Sequence, residues 1–331
     1  MRELIGERML ALARWWRGLH AAWNRFWFSA ADPAPLGIIR LWIGAILVYA
    51  HIVWGLRFDE FLGNNGWIDI ETLRRMSANG YAITFWKFVP EAWQVPVHVA
   101  SIAVLTCFWL GLFTRWTAWL TVLIVMSYTN RNPIAAFGLD QIFGILVLYL
   151  AIGPSGASWS LDSWRRRRAA GQADPSTGDS NCVAKIRGRP SVSANLAIRL
   201  IQLHLCLIYF YAGASKLQGV TWWTGEAIWN VIANREYQTF DLTWLAHHSQ
   251  VIEVIAHVTI LWELSFPALV WVRPLRPIVL AMGVLMHLGI GAFLGMWTFG
   301  LAMIAGYWAF AGNCAAAPPA ADSADRTVSP R

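Results

Sequence analysis

Long apolar runs separated by short polar or basic breaks set the rhythm of this chain. Eight of them approach the length a helix needs to cross the hydrocarbon core, about 20 residues: 36–54, 95–113, 116–129, 137–152, 196–216, 251–272, 278–294 and 296–311. The third is short. Only Gly295 separates the last two, which form either a tight hairpin or a span with a re-entrant partner. Before the first run, residues 1–32 set Arg8, Arg14, Arg17 and Arg25 among Trp15, Trp16, Trp23 and Trp27. That pattern suits a basic amphipathic helix on a membrane surface, or an ordinary cytosolic cap on the bundle. Residues 59–94 are polar enough for an extramembrane loop with a short helix. Residues 153–194 are rich in Gly, Ser, Pro and charge and read as a long, mobile cytoplasmic loop. The Ala/Pro/Ser-rich tail 313–331 reads as disordered. The pattern therefore predicts an all-α, polytopic membrane bundle of about eight transmembrane helices over residues 33–312.

The fifth run has an internal pattern of its own. Arg199, Gln202, Cys206, Tyr209, Gly213 and Lys216 recur at steps of three and four, which puts one polar seam on one side of a helix. Cations at membrane depth cost free energy and need something to hold them there.

Composition agrees with a membrane chain. Of 331 residues 57% are hydrophobic and 14% charged, with mean hydropathy +0.44. A soluble domain carries about a quarter charged residues, so that class is excluded. The net charge of +7 does not point to nucleic acid, because the arginines sit between apolar segments, where topology explains them. With the N-terminus inside and eight spans, seventeen Lys and Arg fall in cytoplasmic segments and seven outside. This favours cytoplasmic termini and places the Asn130-Arg131-Asn132-Pro133 turn and Lys216 on the same outer side. The run Arg165–Arg168 reads as a positive-inside anchor, with a lipid-headgroup site as the other reading. No charged leader with a cleavage site opens the chain, so the first apolar run is expected to insert uncleaved. The four cysteines are scattered; Cys107 and Cys206 read as small buried hydrophobes, and no disulfide framework or metal site is expected.

Candidate chemistry concentrates on few residues. Lys216 is either an interfacial lysine snorkelling to headgroups or a desolvated amine able to take a proton from a weak acid. Asn132 is either a turn former or an amide donor to a ligand oxygen. Asp140, Glu263, Arg40 and Arg199 lie at apparent membrane depth, where such groups normally pair; Asp140 with Arg199 is one example. His204, His257 and His287 read as hydrogen-bonded packing residues, with no HxxxH spacing for a metal.

The segments NRNPIAAFGLDQIF, YFYAGASKLQGVTWWTGEAI, LWELSFPALVWV and MHLGIGAFLGMWTF, in this order, resemble the HTTM domain. That is the membrane module shared by vitamin K-dependent gamma-carboxylases and bacterial relatives. The resemblance runs from about residue 33 to 312 and implies an enzyme of the lyase class in a cell membrane, here a bacterial inner membrane. It implies Lys216 as the base toward reduced vitamin K or a menaquinone-type quinol, with O2 and CO2 as co-substrates and gamma-carboxyglutamate as product. Asn132 would orient the ligand. Tyr209, Trp222, Trp223 and Arg199 would contribute to its pocket; Asp140, Glu263, Arg40 and His287 would pair ions or handle protons. Partners implied are membrane lipid and a protein or small-molecule substrate arriving from the outer side, with no nucleic acid. The carboxylase histidine after the asparagine is Pro133 here, and only a short tail follows the membrane part, so no lumenal domain is expected. Both features favour quinol binding over the full carboxylation. A non-catalytic carrier or assembly factor for an apolar small molecule is the rival reading.

Overall fold

The computed structural model describes residues 2–78, 80, 83–173, 188–236 and 238–311. Fourteen α-helices account for most of them, and no strand occurs among the described residues. In chain order they are α1 (Arg2–Phe28), α2 (Ala34–Leu56), α3 (Phe58–Phe61), α4 (Ile70–Ala78), α5 (Glu91–Leu110), α6 (Thr114–Arg131), α7 (Gly138–Ile152) and α8 (Leu161–Ala173). There follow α9 (Val192–Leu217), α10 (Val220–Trp223), α11 (Glu226–Ile232), α12 (Ser249–Leu269), α13 (Arg276–Leu294) and α14 (Trp297–Ala311). Helices α2, α5, α9, α12 and α13 are long and apolar enough to cross a membrane, and α7 and α14 are shorter apolar helices. With the mixed-polarity α6 they correspond to the eight runs read from sequence, and each described boundary falls within four residues of the expected one.

The bundle is closed from its two ends. Helix α2 packs on both α5 and α14, α6 lies between α5 and α7, and α9 packs on α12, α14 and α7. Local sequence sets the helix limits. Ser191 starts α9 by accepting from the Ala194 N–H at 3.2 Å. Gly295, at φ 70°, ends α13 in the left-handed region and turns the chain straight into α14. The last two runs are thus a tight hairpin. A Cβ on Gly300 would lie 2.5 Å from the His287 carbonyl, so only glycine permits α14 to approach α13 this closely.

Two buried arginines tie loops to the bundle, one at each end. Arg40, fully buried in α2, donates to the carbonyls of Ser155 (2.6 Å) and Trp159 (2.5 Å). Arg131, 1% exposed, donates to Leu62, Gly63 and Ile68 carbonyls. The segment 59–94, expected as a polar loop, is therefore a folded layer: Leu62, Ile68, Leu73 and Trp86 are all buried in it. Alternating polar side chains concealed a core that the Arg131 clamp organises. The first part of 153–194 is likewise ordered, with α8 packed at the α6 start; residues 174–187 and the tail 313–331 lie outside the described residues. Helix α1 joins through Asn195, whose amide donates to the Phe26 (2.7 Å) and Trp27 (2.9 Å) carbonyls. Trp15, Trp16 and Trp23 remain exposed along it.

Asp162, at the start of α8, caps α6 from outside that helix. Its carboxylate accepts from the N–H groups of Phe113 (3.0 Å) and Thr114 (2.8 Å) and from the Thr114 hydroxyl (2.9 Å). Partial burial pushes this carboxyl up, but the three donors and nearby Arg166 outweigh it and hold the group below its ordinary 3.8. A carboxyl depressed on folding stabilises the protein above its ordinary value and loses that contribution as pH falls through the folded value. At pH 7, Asp162→Ala should therefore cost about 1 kcal/mol of stability, the usual size of a lost N-cap. Thermal unfolding in detergent should show wild type and variant converging as the pH drops below 3.8. A constant gap across that range would mean that packing, not charge, carries the cap.

Candidate active site

Lys216 occupies the last turn of α9, where a cation faces the negative end of the helix dipole. Its Nζ donates to Glu263 Oε1 at 2.9 Å, lies 2.8 Å from Oε2, and reaches the Ala212 carbonyl at 3.4 Å. The Trp222 ring, on the short α10, sits 5.0 Å from the ammonium. The Glu263 side chain is 7% exposed and the Lys216 side chain 18%. Gly213 makes the pairing geometrically accessible. A Cβ there would come within 2.9 Å of Leu264 Cγ and 3.1 Å of Glu263 Cβ, so the glycine lets α12 close on α9.

Two turns earlier on the same face, Tyr209 is fully buried against Trp262 and Phe266, with ring centroids 4.8 and 4.5 Å away. Its hydroxyl lies 2.8 Å from His287 Nε2 and 2.5 Å from the Tyr307 hydroxyl. Four helices thus meet at one phenol: α9, α12, α13 and α14. His287 Nδ1 is buried without a partner among the described residues. Consecutive positions on α12 divide the work, with Trp262 walling Tyr209 and Glu263 meeting Lys216. The seam expected on α9 is real: Gln202, Cys206, Tyr209 and Gly213 are all buried along it.

A second polar cluster lies at the α6–α7 turn. Asn130 donates to the Ile83 and Met126 carbonyls and Arg131 clamps 62–68, so the turn is fixed on both sides of Asn132. Asn132 itself is 6% exposed, and neither its amide nitrogen nor its oxygen has a partner among the described residues. It lines a cavity of about 20 Å³ with Trp54, Tyr128 and Asp140, room for one water. Asp140, third residue of α7, accepts from the Phe137 N–H at 2.9 Å and caps that helix. Behind Tyr128, His98 Nδ1 lies 2.8 Å from the phenol and Nε2 3.1 Å from the His51 carbonyl. A carbonyl only accepts, so His98 Nε2 carries the proton and Nδ1 receives one from Tyr128. By the same argument His51 Nδ1–H donates to Leu47 O at 2.8 Å, leaving Nε2 bare and buried.

Lys216 and Asn132 share no partner among those described: the lysine faces α12 and Trp222, the asparagine faces α2 and α7. Arg199 stands seventeen residues before Lys216, ~25 Å along the helix. There it stacks on Phe26 (4.3 Å), donates to Phe26 O and Gln202, and so anchors α1 rather than joining Lys216. It does not pair with Asp140, which serves the opposite end. Arg40 discharges onto backbone carbonyls, because the 155–159 loop offers oxygens and no carboxylate bonds to it. Trp222 touches the lysine, whereas Trp223 turns away, donating to Leu217 O and meeting the His257 ring edge to face. His204 and His257 are hydrogen-bonded packing residues, to Tyr149 and to the Glu253 carbonyl. Cys107 is half-buried and Cys206 buried, both as free thiols. Tyr307, His98 and Tyr128 went unnoticed in the sequence; only His98, an ionisable group inside an apolar run, offered a signal.

Fold and site together define an all-α membrane protein with a charged pair and a phenol–imidazole network inside its bundle. The family model of the HTTM domain matches residues 179–313. The match takes in α9 through α14 and with them Lys216, Glu263, Tyr209, His287 and Tyr307; Asn132, Asp140 and Arg40 lie outside it. No curated protein and no solved structure matches the chain.

Removing one member of a buried ion pair strands the other, at about 3–5 kcal/mol, whereas an apolar replacement of both is far milder. Lys216→Met and Glu263→Met should each lower the thermal midpoint clearly, and the double variant should recover most of the loss. Additive losses in that cycle would show that the two charges do not depend on each other.

Proposed function

We propose that the protein is a membrane enzyme that deprotonates a weakly acidic hydroxyl of an apolar substrate drawn from the bilayer, with the Lys216–Glu263 pair as its acid–base unit. The observation that carries this reading is the pair itself: an ammonium and a carboxylate 2.8–2.9 Å apart, largely shielded from solvent, with an indole over the cation. An ammonium has no lone pair, so Lys216 becomes a base only after passing its proton to Glu263. The proton therefore ends on the pair, and the cationic member is left beside the new oxyanion.

The substrate class this donor set suits is a hydroxylated aromatic ring of the reduced-quinone type. The charged pair meets the hydroxyl and the Trp222 face meets the ring. Such a quinol supplies an acidic hydroxyl and the electrons for reaction with O2. Carboxylation of a glutamate side chain with CO2, as the family resemblance suggests, is the finer form of the proposal. Tyr209 and His287 act behind the pair as a buried proton reserve. We place the site toward the outer face with both termini cytoplasmic, following the distribution of basic residues.

Wild type, Lys216→Ala, Lys216→Arg and Glu263→Gln in nanodiscs, given menaquinol or vitamin K hydroquinone with O2, test this by mass spectrometry of the epoxide. Epoxide from wild type should fall by about 10²-fold or more in every variant, the ordinary weight of a general base. Labelled CO2 and a glutamate peptide in the same assay test the carboxylation. Quinol binding with no epoxide from wild type would favour a carrier. Neither binding nor turnover would end the enzyme reading.

A further inference from the structure

The largest cavity among those described lies far from Lys216, between the start of α6, the end of α7 and the loop that joins α7 to α8. It measures about 790 Å³. Its two halves differ in chemistry. Ala118, Leu150 and Ile152 form an apolar wall running along α6 and α7, while Arg115 and Arg166 supply its cations. We propose that this cavity holds an anionic phospholipid, its phosphate at the arginines and an acyl chain against the apolar wall.

Arg115 is free to serve a ligand, and Arg166 keeps spare donors although it also lies near the Asp162 carboxylate. Asp162 also lines the cavity, but its carboxylate is committed to Phe113 and Thr114 as the α6 cap. Arg166 donates one nitrogen to the Gly156 carbonyl at 3.0 Å, leaving most of its five N–H donors unspent. Arg115 is exposed and makes no hydrogen bond or ion pair among the described residues. Ser155 is 2% exposed and its hydroxyl is buried behind the cavity wall, so the donors open to a ligand are the two guanidinium groups. Guanidinium N–H groups match the oxygens of a phosphate diester.

The position also suits a lipid rather than a soluble anion. The cavity sits at the end of the bundle where Arg40, Arg199 and the α8 arginines gather, which the charge count assigns to the cytoplasmic face. Trp119, on its rim, is 49% exposed, and Trp116, Trp159 and Trp164 around it are exposed too, the belt expected at headgroup depth. A free phosphate would leave the apolar wall unfilled. Gly156 helps form the mouth, since its missing side chain would otherwise collide with Thr114.

Native mass spectrometry of the full chain released from micelles containing phosphatidylglycerol or phosphatidylcholine tests the assignment. Wild type should retain phosphatidylglycerol in preference. The Arg115→Gln/Arg166→Gln variant should lose that preference by about fivefold for each arginine removed, the weight of one basic residue at an anionic headgroup. Arg165→Gln/Arg168→Gln removes the same charge from α8 outside the cavity and should retain it. Arg115→Gln alone, which breaks no described bond, guards against misfolding and should show the single fivefold loss. Equal loss in both double variants would reduce the effect to diffuse surface attraction and overturn the site. So would retention unaffected by either, or displacement of the lipid by millimolar inorganic phosphate at the same occupancy.

Discussion

Charged groups inside this bundle must find their counterparts within the protein, because lipid offers none. Each does so differently, and the fold follows from the choices. Arg40 and Arg131 spend their donors on backbone carbonyls and thereby fasten a loop at each end. Arg199 is satisfied by the Phe26 and Trp271 ring faces, the Phe26 carbonyl and the Gln202 side chain. Among the described intramembrane cations, Lys216 is the one ion-paired with a carboxylate, a partner that can exchange a proton with it.

The same contrast explains what the sequence disclosed. Helix positions were legible because hydropathy and length report on each segment alone. The seam on α9 was legible because a 3.6-residue period maps directly onto a face. The partner of Lys216 was not: Glu263 lies 47 residues on, and its selection rests on Gly213 letting two helices touch. Arg40 was misleading for a related reason, since a backbone carbonyl leaves no trace in composition. The layer over 59–94 was hidden because its four core residues are too sparse to make an apolar run.

Asn132 marks where site reasoning parted from geometry. Its turn was read correctly as turn chemistry, yet the flanking Asn130 and Arg131 do the holding and leave the middle amide unspent. The link between its cluster and the Lys216 side runs through packing. Phe299 lies 5.8 Å from the His287 ring and 3.5 Å from where a Gly138 side chain would start, at the head of α7. Phe299 thus packs between the His287 ring and the head of α7.

The packing of α14 on α2 joins the last described helix to the first of the bundle, across most of the chain. Synthesis proceeds from the other direction. Until the final helix leaves the ribosome, the α2 face that it covers has only lipid, or some escort, to lie against. Closure of the bundle is thus a late event with a long loop to pull in, and a ribosome stalled a few dozen residues early would leave eight-helix architecture one stave short of a barrel.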